Sequence, residues 1–376
     1  MGEKKKIFFF IYQLGSGGAA RTMLNLLNNI DLNQFEPTLI TLDYEGDYEK
    51  YLKKEITFIK LPTKRLRSGI VPFSKIIKKE KPDIIFSTIP NYNLIAIAAR
   101  LLSGHNAKNI VREAALLGTE GKFNVNLKLY GLAYRFSKKV VALSEGVRQN
   151  IIQNYKVNPK KVKVIYNPVD VENIETLMKQ DDIAKEYQSI FNSPKEKVII
   201  TAGRLVDDKD QATLISAFAE LRKNITANLV ILGEGELKDK LKKQVKALDM
   251  DKYVFFVGFQ KNPYAYFNKA DIFVLSSKRE GFGHVLTEAL ATRIPIISTD
   301  AKPGAAEVLD NGKYGVIIPV GDSSTLAGQM EEVLNWNDEK KSQVTEKGWE
   351  RAVSFRAEKI VKEYEKLFNQ TIDQQR

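Results

Sequence analysis

Residues 276–288, Ser-Ser-Lys-Arg-Glu-Gly-Phe-Gly-His-Val-Leu-Thr-Glu, carry the groups needed to hold a charged ligand. The apolar run before them predicts a buried strand that stops at Ser276 and Ser277. A loop with Glu280, Gly281 and Gly283 follows, and then a helix carrying Glu288. A glycine-rich loop opening a helix presents free backbone N–H groups and the positive end of the helix dipole, which suits an anion such as a diphosphate. The two acids flank that anion position and suit the hydroxyls of a ribose and a sugar. Solvated acids at an ordinary strand–loop–helix corner explain the stretch alone equally well, so its neighbours decide.

Those neighbours are loops of the same kind. In 202–210, Ala-Gly-Arg-Leu-Val-Asp-Asp-Lys-Asp, a strand ends at Ala202, and Arg204 and Lys209 stand five residues apart before a helix. Arginine grips phosphate with a planar fork and lysine adds a point charge. Converging on a diphosphate, the two would neutralise a departing nucleotide without a metal; taken singly they are surface charges. Gly233-Glu-Gly-Glu236 and Val257-Gly258-Phe259-Gln260 end the next two strands, and backbone bared at Gly258 suits the edge of a base. In the first half, residues 14–21, Leu-Gly-Ser-Gly-Gly-Ala-Ala-Arg, turn from a strand into a helix. Gly17 and Gly18 make either a tight turn or a place where backbone meets phosphate or sugar. The spacing is not the complete dinucleotide fingerprint, which argues against an NAD-dependent dehydrogenase.

The elements that position these loops alternate from end to end. Apolar runs predict strands at 6–14, 37–42, 57–61, 83–88, 109–113, 139–143 and 163–166, with helices at 20–29, 71–79, 94–102, 127–136 and 146–153. A polar stretch at 179–193 reads as a hinge. Strands then restart at 197–202, 228–232, 253–257, 271–275, 294–298 and 315–318, with helices at 211–222, 236–248, 284–291 and 324–334. Continuous apolar strands alternating with helices imply parallel sheets covered on both faces, hence two Rossmann-like α/β domains. Ligands of such sheets bind outside the carboxyl ends of the strands, where the loops above lie. The expected domains are 1–180 and 181–355, with an amphipathic helix at 357–368 in a terminal segment, 356–376, that folds back toward the first domain.

At 376 residues the chain exceeds one compact core. It has no cysteine and two histidines, which excludes disulfides, a thiolate nucleophile and a histidine-rich metal centre. The N-terminal Lys4-Lys5-Lys6 and the apolar run after it imitate a signal peptide, yet the run breaks at Gln13, short of the usual length, and reads as a buried strand. No run approaches a membrane span. The expectation is a cytoplasmic protein, associated peripherally with the inner face of the cell membrane. The net charge of +12 is asymmetric: residues 1–170 hold 28 Lys and Arg against 14 Asp and Glu, and the remainder is slightly acidic. The densest basic piece, 60–81, includes Lys64, Arg65 and Arg67 around Ile70, Val71, Phe73, Ile76 and Ile77. That mixture suits an anionic lipid surface, each basic side chain contributing about 1 kcal/mol; nucleic acid is the competing partner, and a solvated lysine-rich face the bland alternative.

Arg204 with Lys209, the 233–236 loop, Val257-Gly-Phe259, residues 271–276 and the Glu280…Glu288 pair stand in an order that resembles the second domain of glycosyltransferase family four, the retaining nucleotide-sugar transferases of GT-B fold. Gly17-Gly18-Ala19, Ser144-Glu-Gly-Val147 and Tyr166-Asn-Pro-Val-Asp170 resemble signatures of its first domain. The resemblance implies two facing Rossmann-like domains with a deep cleft between them. It implies a donor diphosphate held by Arg204, Lys209 and the N–H groups of Gly283 and His284, within a donor site that includes Gly203, Gly233, Gly258, Phe259, Gly281, Phe282 and Val285. Glu288 would take the ribose, Glu280 the transferred sugar, and Gly17 and Gly18 would close the other side; Glu280, Arg204 and Lys209 would be the catalytic set. Two departures stand out: Ala20 occupies the usual acidic place before Arg21, and Arg112-Glu113-Ala114 lacks the histidine many members carry, leaving Glu113 and Arg112 as acceptor candidates beside Lys64, Arg65 and Arg67. The implied reaction moves a hexose or N-acetylhexosamine from a UDP-sugar, a substrate, to a lipid-linked polyprenyl-diphosphate glycan or another polyanionic cell-surface acceptor, with no cofactor, no obligatory metal and no nucleic-acid partner. The rival readings are a nucleotide-sugar epimerase of the same architecture and a non-catalytic basic protein binding membrane or nucleic acid.

Overall fold

The computed structural model describes residues 3–373 apart from Ser16, residues 119–124, Asp181 and Pro194. The chain divides into two compact units, one of Met1–Val169 with Arg356–Arg376 and one of Asp170–Phe355.

The first unit runs β1 (Lys5–Phe10), α1 (Gly18–Asn29), β2 (Phe35–Leu42), β3 (Thr57–Leu61), α2 (Ile70–Glu80), β4 (Ile84–Thr88), α3 (Pro90–Ser103), β5 (Lys108–Glu113), α4 (Val125–Tyr134), β6 (Lys139–Ala142), α5 (Glu145–Gln153) and β7 (Val162–Val164). Its parallel sheet has the order β3-β2-β1-β4-β5-β6-β7, so the chain reverses direction across the sheet between β1 and β4. Strand β1 shows why it is central. Ile7 and Phe9 point into one core and Phe8 and Phe10 into the other, leaving no side for water.

The second unit runs α6 (Val171–Leu177), α7 (Lys185–Phe191), β8 (Lys197–Ala202), α8 (Gln211–Leu221), β9 (Ala227–Leu232), α9 (Lys238–Ala247), β10 (Val254–Gly258), α10 (Pro263–Lys269), β11 (Ile272–Leu275), α11 (His284–Ala291), β12 (Ile296–Thr299), α12 (Gly304–Val308), β13 (Val316–Ile318), α13 (Ser323–Leu334) and α14 (Asp338–Val353). Its parallel sheet has the order β10-β9-β8-β11-β12-β13, with the reversal between β8 and β11. The last helix, α15 (Ala357–Asp373), belongs to the first unit. Ile360, Val361, Tyr364, Leu367 and Phe368 recur at helical spacing and enter the core beside Phe9, Phe35 and Phe86. Phe86 meets Tyr364 edge-on at 5.5 Å and Phe9 meets Phe368 at 6.1 Å.

The structure corrects several boundaries. The division falls after Val169 and not at 180. The supposed hinge contains α7, whose Ile190 is buried and whose Phe191 packs edge-on against Tyr266 at 5.9 Å. The first strand ends at Phe10, before the expected 14, although Ile11 N–H still donates to the Ile40 carbonyl. Helix α3 starts at Pro90, where a missing N–H costs nothing because the first turn has no partner for it. No helix among the described residues is long and apolar enough to cross a membrane.

Candidate functional site

Three of the glycine loops meet at the carboxyl edge of the second sheet because backbone replaces side chains there. A Cβ on Gly233 (φ 130°) would stand 2.0 Å from the Gly203 carbonyl oxygen, and one on Gly235 would stand 2.4 Å from that of Leu205. Gly233 N–H donates to the Gly258 carbonyl at 2.8 Å, and Gly258 itself has φ 78°. Loops after β8, β9 and β10 are therefore sealed against one another, and only glycine permits it. From this ledge Arg204 projects into solvent, and among the described residues its guanidinium forms no ion pair. Phe259, directly after β10, is 51% exposed.

Across the strand reversal, the β8 loop is fastened to the β11 loop. The Lys209 ammonium pairs with the Glu280 carboxylate, both mostly buried. Ser277 Oγ donates to the same Glu280 oxygen at 2.8 Å, and Ser276 Oγ donates to the Lys209 carbonyl at 3.0 Å. Two further pairs flank the first, Lys278–Asp207 at 2.8 Å and Arg279–Asp208 at 2.9 Å, and Lys278 N–H donates to the Asp208 carbonyl at 2.8 Å. The Lys278 ammonium holds the Asp207 carboxyl below the usual carboxylate range. Two acids and a base at 207–209 thus face two bases and an acid at 278–280, and set Lys209 and Glu280 at the topological switch point, where open α/β sheets bind ligands.

The turn after Glu280 is fixed from below. Gly304 N–H donates to the Glu280 carbonyl at 2.9 Å, and a Cβ on Gly304 would lie 2.5 Å from the Phe282 backbone nitrogen. Gly283 (φ 81°) then opens α11, with no side-chain cap over the first amides. His284 and Val285 are partly exposed at this end. Phe282 corrects the expectation: its ring is 3% exposed and packs edge-on against Phe355 at 5.3 Å, so only its backbone and that of Gly281 remain to face a ligand. Glu288 lies one turn into α11 and is 7% exposed. Tyr264 Oη donates to its Oε1 at 3.1 Å, and His284 Nε2 stands 3.8 Å from the same oxygen.

In the first unit, Gly17 and Gly18 precede and open α1, are exposed, and an added Cβ on either would touch nothing within 4 Å. Gly17 has an ordinary extended backbone (φ −90°), so the fold itself does not require glycine at these positions. Ser16 between them and β1 lies outside the described residues. Lys64, Arg65 and Arg67 are exposed on the connection between β3 and α2. Of the apolar residues expected to accompany them, Phe73 and Ile77 face the core, and Val71 stands out at 52% exposure.

Arg112 and Glu113 are corrected outright. Both are interior, at 1% and 0% exposure, and cannot contact an acceptor as they stand. The Arg112 guanidinium donates to Thr88 Oγ1 at 2.9 Å and to Asn167 Oδ1. Glu113 accepts from Tyr134 Oη, from Tyr155 Oη at 3.3 Å and from Asn93 Nδ2 at 3.4 Å. Burial pushes its carboxyl up to about 7 against the pull of these donors, and burial also raises both tyrosines. An acid at a strand end reads as functional in a sequence; its three partners arrive from α3, α4 and the segment after α5, which no local pattern reveals. Sequence reasoning also missed the Asp207, Asp208, Lys278 and Arg279 clasp and the tyrosine on Glu288.

The family described as glycosyltransferase family 4 matches residues 16–173, and that described as glycosyl transferases group 1 matches residues 182–351. A Campylobacter jejuni protein, N-acetylgalactosamine-N,N'-diacetylbacillosaminyl-diphospho-undecaprenol 4-alpha-N-acetylgalactosaminyltransferase, is 32% identical over 96% of this chain and 98% of its own length. The capsular polysaccharide biosynthesis glycosyltransferase CapM of Staphylococcus aureus is 26% identical over 86% of this chain and 88% of its own. Among solved structures, HepE of Anabaena in complex with UDP and glucose superimposes with a TM-score of 0.81 at 20% identity, over 97% of this chain and all of that one.

Proposed function

The chain belongs to glycosyltransferase family four and has the GT-B fold, and from that premise we propose that it moves a hexose or N-acetylhexosamine from a UDP-sugar, with retention, to a polyprenyl-diphosphate-linked glycan in the assembly of a bacterial surface glycan. The observation that carries the donor half is the Lys209–Glu280 pair at the switch point of the second sheet, with Arg204 exposed on one side and the uncapped turn at Gly283 on the other. The acceptor half rests on likeness to the Campylobacter relative, whose name specifies a diphospho-undecaprenol glycan.

In this reading the donor diphosphate lies between the Arg204 guanidinium, the Lys209 ammonium and the amides of Gly283 and His284. Glu280 orients Lys209 in the free protein and accepts from a hydroxyl of the transferred sugar when donor binds. Glu288, with one oxygen taken by Tyr264, accepts the ribose hydroxyls with the other. The anomeric carbon–oxygen bond to the diphosphate breaks while an acceptor hydroxyl attacks from the same face. Its proton passes to the leaving phosphate, UDP departs, and no side-chain base is required. Catalysis then resides in stabilising charge that grows on the diphosphate, for which one preorganised donor commonly contributes about 3 kcal/mol. The reading includes a peripheral position on the inner membrane face through the basic first unit, no obligatory metal and no nucleic acid.

The test is to incubate the protein with UDP-N-acetylhexosamine and a polyprenyl-diphosphate-linked N-acetylhexosamine acceptor and to follow the new anomeric signal by NMR. An α-linked product from an α-linked donor is expected. A β-linked product overturns retention, and conversion of the UDP-sugar to its epimer without acceptor establishes the epimerase instead.

A further inference from the structure

The loop between β8 and α8 carries both cations of the candidate site, Arg204 near its start and Lys209 near its end. Its middle is tied to the loop after β9. Leu205 is buried, its N–H donates to the Glu234 carbonyl at 2.9 Å, and its own carbonyl accepts from Leu237 N–H at 3.0 Å. Lys209 is held through its carbonyl by Ser276 and through its ammonium by Glu280. The Arg204 side chain stands in solvent, so its backbone sets where the guanidinium can reach.

That backbone is gripped from the far end of the loop. Gln211, the first residue of α8, follows Asp210, whose left-handed backbone (φ 47°) turns the chain into the helix. Gln211 Nε2 donates to the Arg204 carbonyl at 3.1 Å and so closes the loop on itself. The carbonyl does not need this bond to be satisfied, because Val206 N–H already donates to it at 3.0 Å. Gln211 is also a destabilising choice for its place. It is 3% exposed, and its Oε1 has no hydrogen-bond partner among the described residues. A buried acceptor left unpaired weakens a fold, and an apolar side chain of the same length removes that penalty. Leu214, Ile215 and Phe218, which share its face of α8, are apolar and sealed. An amide in their company serves the loop it ties and not the core it sits in.

We infer that Gln211 is a positioning residue for phosphate recognition: its amide fastens the Arg204 peptide to the start of α8 and so sets the spacing of the Arg204 and Lys209 cations. This rests on the donor reading above and deepens it by naming what aims the arginine. Titration calorimetry of UDP and of uridine against the wild type and Gln211→Met tests it, with thermal melts of both proteins. Methionine keeps the length and bulk of glutamine and loses both polar ends. The variant is expected to melt no lower than the wild type and to bind uridine equally well. Its preference for UDP over uridine is expected to fall about 10-fold. A preference kept in full overturns the inference. So does an equal loss for both ligands with a lower melting temperature, which a purely structural role predicts. A wild type that binds UDP no better than uridine sinks the donor reading itself, and this inference falls with it. Should the methionine variant fail to fold, Gln211→Leu is read by the same two titrations.

Discussion

Two glutamates at the carboxyl ends of strands, one in each unit, show how the same side chain is put to opposite ends. Glu113, at the end of β5, is sealed from water and ringed by neutral donors from Tyr134, Tyr155 and Asn93. Glu280, just beyond β11, retains 11% side-chain exposure and faces a cation on a neighbouring loop. Neutral donors satisfy a carboxyl without inviting a ligand, and burial then favours its protonated form. In the proposed function, a cation at an open edge leaves both partners able to exchange each other for substrate. Position at a strand end is common to both; the company each keeps separates a brace from a site.

The largest effect should come from breaking the second arrangement. Lys209→Met and Arg204→Ala are each expected to lower kcat about 100-fold or more, measured with UDP-sugar and acceptor at saturation. Turnover near that of the wild type in both would erase the distinction drawn above. Gly304→Val should follow. A side chain there meets the Phe282 backbone at 2.5 Å, so the turn that aims Gly283 must move. We predict weaker UDP binding together with a lower melting temperature; binding and stability both intact would show that the turn is not held from below.

The first arrangement is sharpened by pH. The Glu113 carboxyl stands at about 7 in the fold and near 4.5 otherwise. Below 4.5 both states are protonated and burial carries no charge penalty. As pH rises from 4.5 through 7 the unfolded chain ionises first, so folding stability falls, by up to about 3 kcal/mol. Glu113→Gln should flatten that slope between pH 5 and 7.5 in thermal melts while leaving donor binding unchanged. An identical slope in wild type and variant contradicts the buried-brace account. Smallest of all, Asp208→Asn loosens a half-exposed pair with Arg279, and its effect on stability should stay within about 0.5 kcal/mol. A larger loss would mean that the clasp, and not the Lys209–Glu280 pair, holds the loops.

Much of this was legible before the structure. Runs such as Phe8-Phe9-Phe10 permit no half-exposed strand, and they recur at intervals that leave room for helices, so two parallel sheets follow directly. The Glu280…Glu288 spacing was legible for the same local reason, since one loop and one helix turn carry it. What was hidden depends on distant partners or lacks a period. Tyr134 and Tyr155 reach Glu113 from 21 and 42 residues away, and nothing near Glu113 marks it as buried. Helix α10 buries Tyr264, Ala265, Tyr266 and Phe267 in succession and so shows no amphipathic alternation. Helix α14 is largely polar and carries Gly348 where its backbone nears Leu290.

The claim on which the account depends is that the Lys209 and Arg204 cations recognise a pyrophosphoryl group at the second sheet's reversal. Titration calorimetry of UDP and of uridine against the wild type and Arg204→Ala tests it most directly. The account predicts that the wild type binds UDP far more tightly than uridine, and that the variant loses most of that preference while its uridine affinity is unchanged. A preference for UDP that survives the substitution in full would contradict it.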